Sequence, residues 1–289
     1  MTGEFRIRSH KLLMIVACGQ MLVLIVRGMD LSVGSTMALT SVVSALVMAH
    51  LAPGSGPGVA ITAGIAAGLA VGVVVGLCNG IAVAVFGITP FMVTLAMASI
   101  VGGVALSLTN GIPIYGLPEA FVAGLGRTLW LGMPPTVWAA AIVVLLVWIV
   151  QKYTALGTRI YAVGGSPQAS RVSGIDVRFH LVLAYVGCAL AASLASLLLT
   201  AQIGSGQGSV GDTLALQSIG AAVIAGVSLH GGVGRVQWVA LGSLFLLLLN
   251  NAMDLLRVDS KAQAIVMGLL IVLVVALDEF KKRRKIDGH

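Results

Sequence analysis

The sequence predicts an all-α polytopic membrane protein with about nine transmembrane helices. Composition is the first observation: 58% of the 289 residues are hydrophobic, only 9% are charged, and the mean hydropathy is +1.05. Soluble domains carry about 25% charged residues. The second observation is that apolar runs near the bilayer requirement of about 20 residues follow one another along the chain. The third is the 37 glycines, because small residues let membrane helices approach closely.

Nine apolar runs are the predicted spans, and a single membrane domain accounts for the whole chain. The runs cover residues 12–27, 35–52, 59–85, 90–109, 135–151, 180–202, 214–230, 236–254 and 262–279. Two connections between them are long. The first, 110–134, carries Trp and Tyr, and the second, 152–179, carries one lysine and three arginines. A basic tail, 280–289, ends the chain.

Positive charge predicts the orientation, because Lys and Arg favour the cytoplasmic side. The basic run at 281–285 and the connection 152–179 are separated by four spans, so both can lie inside. The C-terminus is therefore predicted to be cytoplasmic. The net charge of +7 is concentrated in that tail and aromatics are only 5%, so we expect a lipid bilayer and no nucleic acid as partner. The same alternation places the basic start, with Arg6 and Arg8, outside, which conflicts with the rule.

An internal repeat accounts for this conflict. Residues 32–41 read SVGSTMALTS and residues 209–218 read SVGDTLALQS, with seven of ten positions identical at an offset of 177. The copies precede the second of the first four spans and the second of the last four. Halves of opposite orientation form an inverted repeat, a common plan in transporters. A five-plus-five inverted repeat without its first helix predicts both the repeat and the basic start.

The third predicted span carries glycine at every fourth position. These glycines are Gly64, Gly68, Gly72, Gly76 and Gly80. Residues four apart lie on one face of a helix, so the glycines form a smooth ridge. This pattern predicts close helix packing.

Motifs for other chemistries lack their structural context. Residues 206–211 match the spacing of a dinucleotide fingerprint, but they follow a membrane span and have no acidic partner about 20 residues on. No phosphate-loop motif occurs, so we expect no ATP binding by this chain. The five His and three Cys residues are scattered, which predicts neither a metal site nor a disulfide framework. We expect no bound cofactor and no enzymatic activity.

The connection 152–179 has more structure than a simple connector needs. It contains a short helical stretch between Gly165 and Gly174, with basic residues on both sides. Glycine breaks around a small, partly apolar helix favour a docking element for a cytoplasmic partner. The alternative is a basic loop that binds no particular partner.

Several separated segments resemble one family, the permease subunit of ribose/xylose-type (simple sugar) ABC importers, a binding-protein-dependent inner membrane component. The segments are RGMDLSVGS at 27–35, FGITPFMVTLAMASIVGGVALSLTNGIPI at 86–114, GTRIYAVGGSPQASRVSGIDV at 157–177, AGVSLHGGVGR at 225–235 and LLNNAMDLL at 248–256. They follow the family's order and cover nearly the whole chain from about residue 12. The resemblance is specific for the family and weak for the identity of the sugar.

The resemblance implies a bacterial inner-membrane subunit that forms the path for a monosaccharide. It implies a second permease subunit, identical or different, cytoplasmic ABC ATPase subunits and a periplasmic sugar-binding protein. The segment expected to receive the ATPase stroke is matched at Gly157, Gly164, Gly165, Arg171, Ser173 and Gly174. The family's signature turn, GxDLSVG, is matched at Gly28, Asp30, Ser32, Gly34 and Ser35. Arg27 departs from the family, which more often has a small or polar residue there.

The signature turn places two charges within apolar sequence, and a charge that faces hydrocarbon is costly. On the alternating count the turn lies at the cytoplasmic boundary. There Arg27 can snorkel to the interface, and Asp30 caps the helix that begins near Ser32. A direct part for the turn in the sugar path is the alternative.

Two alternatives to an ATP-driven permease stay open from sequence. One is an ion-coupled secondary carrier that uses Asp30 as a proton or sodium site, since intramembrane carboxylates often serve that purpose. The other is a truncated, non-functional permease, because the resemblance begins near the family's second helix.

Overall fold

The computed structural model describes residues 12–286, so the predicted basic start and residues 287–289 of the predicted tail lie outside the described residues. The helices are α1 (Leu13–Ile25), α2 (Val33–Ser55), α3 (Pro57–Ala84), α4 (Pro90–Thr109), α5 (Pro135–Tyr153), α6 (Ala155–Gly165), α7 (Pro167–Val172), α8 (Val177–Ile203), α9 (Leu214–Ile224), α10 (Val236–Leu255) and α11 (Ser260–Ile286). A short helical segment, Glu119–Phe121, and a π-helical turn, Val122–Arg127, lie between α4 and α5. The described residues form no strand and only two isolated β-bridges. The all-α class is confirmed.

Six helices within the described range are long and apolar enough to cross a membrane, namely α2, α3, α4, α5, α8 and α10. The other three predicted spans correspond to shorter apolar helices: α1, α9 and Lys261–Val274 of α11. The 13 residues of α1 extend about 20 Å, whereas the hydrocarbon core of a bilayer is about 30 Å thick. The polytopic membrane class is confirmed, and the number nine stays a prediction.

Helix α1 lies at the centre of the molecule. Almost all of its side chains are fully buried, among them Ile15, Val16, Met21 and Leu24. The helix packs against α5, α8, α9 and α10. A helix that is apolar on every side is expected in the interior of a bundle. A helix this short can lie within the membrane region because protein surrounds it. A turn follows α1, and in this turn Arg27 has a left-handed φ of 66°.

Equivalent helices in the two halves of the chain pack against equivalent partners, as a two-fold rotation would require. When the repeat offset of 177 is added to their residue numbers, α1, α2, α3 and α4 overlap in sequence with α8, α9, α10 and α11. Helix α8 packs against α2 and α3, and α1 packs against α9 and α10 in the same way. Likewise α2 packs against α3 and α4, and α9 packs against α10 and α11. This exchange of partners is the arrangement expected of an internal repeat, and the opposite orientation of the two halves stays a prediction.

The glycine ridge of α3 lies against α2 and α8. Its members are Gly64, Gly68, Gly72, Gly76 and Gly80. A methyl group on Gly76 would lie 2.6 Å from Cα of Val186, and one on Gly80 would lie 2.7 Å from Cα of Val182. Gly64 is equally close to α2, since its added methyl group would lie 2.9 Å from the carbonyl oxygen of Ser44. Larger residues would separate α3 from both neighbours.

The connection 152–179 is mostly helical rather than a loop with one short helix. Thr154 caps α6 by accepting the Gly157 N–H at 3.2 Å, and Ser166 caps α7 by accepting the Ala169 N–H at 3.2 Å. Pro167 follows at the first position of α7, where its missing N–H is tolerated. The predicted helical stretch between Gly165 and Gly174 corresponds to α7, and α6 is an additional helix that the sequence analysis did not predict.

Candidate functional site

The signature turn between α1 and α2 is a buried polar structure. The Asp30 carboxylate oxygen Oδ1 accepts the Ser32 N–H at 2.8 Å and the Ser32 hydroxyl at 2.6 Å. The amide of Asn79, from α3, donates to the Ser32 hydroxyl oxygen at 2.8 Å. With its amide oriented to satisfy both atoms, Gln20 of α1 pairs with the backbone N–H and carbonyl of Asp30 at 3.1 and 3.2 Å. Asp30 therefore holds Ser32, the residue that precedes α2, in place.

The Arg27 side chain is bound to the end of α6, and its predicted reach to the membrane interface stays a prediction. Its Nε donates to the carbonyl oxygen of Gly164 at 2.6 Å, and a terminal guanidinium nitrogen donates to the carbonyl of Gly165 at 2.5 Å. These carbonyls end α6, where the helix dipole is negative and the last carbonyl groups lack helical partners. The guanidinium thus caps α6 and joins it to the signature turn.

Three backbone segments meet at this cap without intervening side chains. The Gly232 N–H donates to the carbonyl oxygen of Ile25 at 2.8 Å. A methyl group on Gly164 would overlap the same carbonyl oxygen, and one on Gly232 would lie 2.8 Å from Cα of Gly165. By contrast, a methyl group on Gly165 would have no atom within 4 Å. We name this contact between 25–28, 164–165 and 231–232 the glycine junction.

The predicted coupling residues fall into two groups. Gly157 and Gly164 are buried, and a methyl group on Gly157 would lie 2.7 Å from Cα of Gln151 in α5. The other predicted coupling residues are exposed: Gly165, Arg171, Ser173 and Gly174. Val172 is 89% exposed beside them. The segment therefore has a buried end at the glycine junction and an exposed end around 171–174.

The two copies of the repeated motif contact each other at equivalent glycines. A methyl group on Gly34 would lie 2.7 Å from the carbonyl oxygen of Gly211, and one on Gly211 would lie 3.0 Å from the carbonyl oxygen of Gly34. These residues are related by the offset of 177. A reciprocal contact of this kind is expected at a two-fold axis.

A cavity of about 270 Å³ lies beside this contact, between the two copies and α4. Ser35 and Asp212, which are also equivalent positions, line it together with Ser209. Gly102 of α4 lines the same cavity. Hydroxyl, carboxylate and backbone groups in one cavity can hydrogen-bond a hydroxylated solute.

The signature turn and coupling residues come together only in part. Asp30 and Ser32 are joined to the junction through Arg27, whereas Gly34 and Ser35 belong to the cavity. Gly231 and Gly232 were not predicted as site residues. The signal in the sequence was that they form a Gly-Gly pair, as Gly164 and Gly165 do. No cluster of three or more His, Cys, Asp or Glu residues within 12–286 could hold a metal ion.

Comparison with known proteins gives a consistent family. Residues 7–275 match the family described as branched-chain amino acid transport system / permease component. The ribose import permease protein of Escherichia coli (strain K12) is 39% identical over 273 residues, which are 93% of this chain and 82% of the relative. The D-allose transport system permease protein of the same organism is 34% identical over 91% of this chain and 79% of the relative.

The L-arabinose transport system permease protein of Escherichia coli (strain K12) is also similar, with 33% identity over 93% of this chain and 80% of the relative. No solved structure matches the chain significantly. The resemblance found in the sequence is confirmed, and the chain is a multi-pass transport subunit rather than an enzyme. The chain belongs to the permease-component family of binding-protein-dependent importers, among its simple-sugar ABC importer permeases.

Proposed function

We propose that this chain is the permease subunit of an ATP-driven ABC importer that carries a ribose-type monosaccharide across a bacterial inner membrane. The relatives named for ribose, D-allose and L-arabinose transport each match more than 90% of the chain, which supports a monosaccharide. The family description names branched-chain amino acids, so that solute class is the second candidate. Measuring the uptake of each solute class decides between the two candidates.

In this proposal the cavity between the motif copies is part of the translocation path. It is bounded by two halves that are related by a two-fold exchange, and such interfaces commonly hold the solute in transporters built from inverted repeats. Ser35, Ser209 and Asp212 offer hydroxyl and carboxylate partners for sugar hydroxyl groups. Close backbone contact at Gly34 and Gly211 would make the cavity sensitive to any shift between the halves.

The observation that carries the coupling proposal is the link from α6 to the signature turn through Arg27. The exposed end of the coupling segment, around Arg171, is the proposed contact for the ATPase. Movement of α6 would act on the carbonyls of Gly164 and Gly165, which Arg27 holds, three residues before Asp30. Because backbone packs directly against backbone at this junction, it can transmit a rigid displacement.

The proposal includes the partners that such an importer needs. These are a second permease subunit, cytoplasmic ATPase subunits and a periplasmic sugar-binding protein, with no cofactor bound by this chain. The C-terminus and the 152–179 segment would lie on the cytoplasmic side, in keeping with their positive charge. Alternating access then requires two packings of the helices, which the ATPase and the loaded binding protein bias differently.

Variants at the glycine junction test the coupling in vesicles that contain the chain with its ATPase and binding protein. Gly164→Ala should lower sugar uptake per ATP hydrolysed by about tenfold, because the added methyl group overlaps the Ile25 carbonyl. Gly165→Ala is the matched control, since its methyl group enters open space. Arg27→Gln removes the charge-assisted hydrogen bonds without added bulk, and should also lower uptake per ATP.

Each measurement has a result that contradicts part of the proposal. Unchanged uptake per ATP in folded Gly164→Ala and Arg27→Gln chains would exclude the junction from coupling. ATP-dependent uptake of leucine but not of ribose, allose or arabinose would replace the sugar with a branched-chain amino acid. Uptake driven by an ion gradient without ATP would replace the ABC importer with a secondary carrier.

A further inference from the structure

A cleft lies where α5, α6 and the start of α10 meet, beside the glycine junction, whose Gly232 lines one end of it. It consists of two adjoining cavities of about 520 and 530 Å³. Tyr161, Arg235 and Trp238 line both, and Trp148 and Lys152 line the second. Among the described residues, the lining contains no Asp or Glu. We name this feature the basic cleft.

The cations of the basic cleft have no acidic partner among the side chains that the structure describes. The Lys152 ammonium lies 5.4 Å from the ring centroid of Trp148 and 5.3 Å from that of Tyr153. The two rings contact each other edge to face at 5.4 Å. Cation–π contact holds the lysine beside the cleft without neutralising it. Lys152 and Arg235 therefore present two uncompensated positive charges to one space.

The cleft is a built structure, because hydrogen bonds hold its walls together. The Gln151 side-chain oxygen accepts the Val236 N–H at 3.2 Å, which ties α5 to the start of α10. The Tyr161 hydroxyl donates to the Gly234 carbonyl and ties α6 to the same segment. Burial raises the pKa of the Tyr161 phenol more than the nearby Arg235 charge lowers it, so the hydroxyl stays protonated and donates.

The position of the cleft matches the boundary of a membrane. Lys152 lies in the last turn of α5, and Arg235 immediately precedes α10, and both helices are long enough to span. Trp and Tyr side chains concentrate at membrane interfaces, and basic residues concentrate at the cytoplasmic one. Trp238 is 54% exposed and Tyr153 is 64% exposed. On the proposed orientation these residues face the headgroups of the cytoplasmic leaflet.

We propose that the basic cleft binds the phosphate of an anionic phospholipid, with phosphatidylglycerol as the chemical class. Lys152 and Arg235 would pair with the phosphodiester, and Arg offers the planar donor geometry that phosphate accepts. Trp148 and Trp238 would lie at the level of the glycerol and upper acyl chains. Basic clefts between membrane helices on the cytoplasmic side are suited to anionic headgroups.

Tryptophan quenching by brominated lipid measures this binding on the full chain in phosphatidylcholine vesicles, without the ATPase. In a Trp130→Phe/Trp138→Phe chain, only the cleft tryptophans report. Dibrominated phosphatidylglycerol should bind there about tenfold more tightly than dibrominated phosphatidylcholine. Lys152→Gln/Arg235→Gln should remove the preference. Arg159→Gln, at an exposed basic residue of α6 outside the cleft, is the matched control and should keep it.

The same quenching experiment contains the results that overturn the proposal. Equal affinity for the two brominated lipids, or an unchanged preference in Lys152→Gln/Arg235→Gln, excludes a lipid site in the cleft. Loss of the preference on addition of millimolar inorganic phosphate would assign the cleft to a soluble phosphate instead. If the Phe variants fold poorly, the second measurement compares the unmodified chain with Lys152→Gln/Arg235→Gln, because both carry Trp130 and Trp138 and their difference in quenching reports the cleft.

Discussion

The two copies of the repeated motif share most of their sequence but begin their helices differently. In the first copy, α2 begins at Val33, directly after Ser32, and continues for 23 residues. In the second copy, the equivalent residue Val210 lies in a turn, Gly211 has a left-handed φ of 92°, and α9 begins only at Leu214. Helix α9 has 11 residues. The motif alone therefore does not determine where the helix starts.

The two copies also differ two residues before their first serine. In the first copy this residue is Asp30, which accepts both the N–H and the hydroxyl of Ser32. In the second copy it is Gln207, whose amide donates to the Ser205 hydroxyl oxygen at 3.1 Å instead. No acceptor then fixes the start of α9 at the equivalent point. The carboxylate therefore fixes Ser32 in front of α2, and the second copy lacks this interaction.

The largest expected effect comes from removing that carboxylate. Asp30→Ala leaves two buried donors of Ser32 without their acceptor and should lower the free energy of unfolding by about 3 kcal/mol. Gln207→Ala at the equivalent position removes one partly buried hydrogen bond and should cost about 1 kcal/mol. Denaturant titration of both chains in detergent micelles measures the difference. Equal losses would show that the two copies are held in the same way.

The sequence predicted the apolar helices well and their surroundings poorly. Helix α4, Pro90–Thr109, has the predicted bounds, because proline and a turn residue limit it locally. The enclosure of α1 could not be predicted, since an apolar run reads the same whether it contacts lipid or protein. The shortness of α9 depends on Gly211, whose left-handed conformation is not evident from the motif.

Within the candidate site, contacts between neighbours in sequence could be predicted, and contacts between distant residues could not. Asp30 and Ser32 are close in sequence, so their interaction at the helix start followed from local rules. Arg27 and Gly164 are 137 residues apart, and no local pattern indicates that one caps the helix of the other. The carbonyl groups at the end of α6 come within reach of Arg27 only in the folded chain, so the sequence did not indicate this contact.

An intermediate effect is expected where the two copies contact each other. Gly34→Ala places a methyl group 2.7 Å from a carbonyl oxygen, and Gly211→Ala forces a left-handed alanine, which costs about 1 to 2 kcal/mol. Each should lower the rate of ATP-dependent sugar uptake by about tenfold. Gly103→Ala in α4 is the control, because its methyl group would enter open space and Gly103 does not line the cavity.

The same pair tests whether the copies act as one unit. Residues that share a contact have non-additive effects, so Gly34→Ala/Gly211→Ala should lose less uptake than the product of the single losses. A double-mutant cycle on the initial uptake rate measures this coupling. Strictly multiplicative losses would mean that the two glycines affect transport independently.

The smallest expected effect concerns the one position where the copies differ in charge within the cavity. Ser35 and Asp212 are equivalent, and both line the cavity. Asp212→Ala should lower the maximal uptake rate about fivefold, the equivalent of about 1 kcal/mol of lost hydrogen bonding to the sugar, while Ser35→Ala should lower it less. In the proposed importer the binding protein captures the sugar first, so the half-saturating sugar concentration should not change. Asp212→Asn is the matched control for charge. An uptake rate close to that of the unmodified chain would mean that hydrogen bonding at this position suffices. A rate as low as that of Asp212→Ala would mean that the solute path requires the negative charge that only the second copy carries.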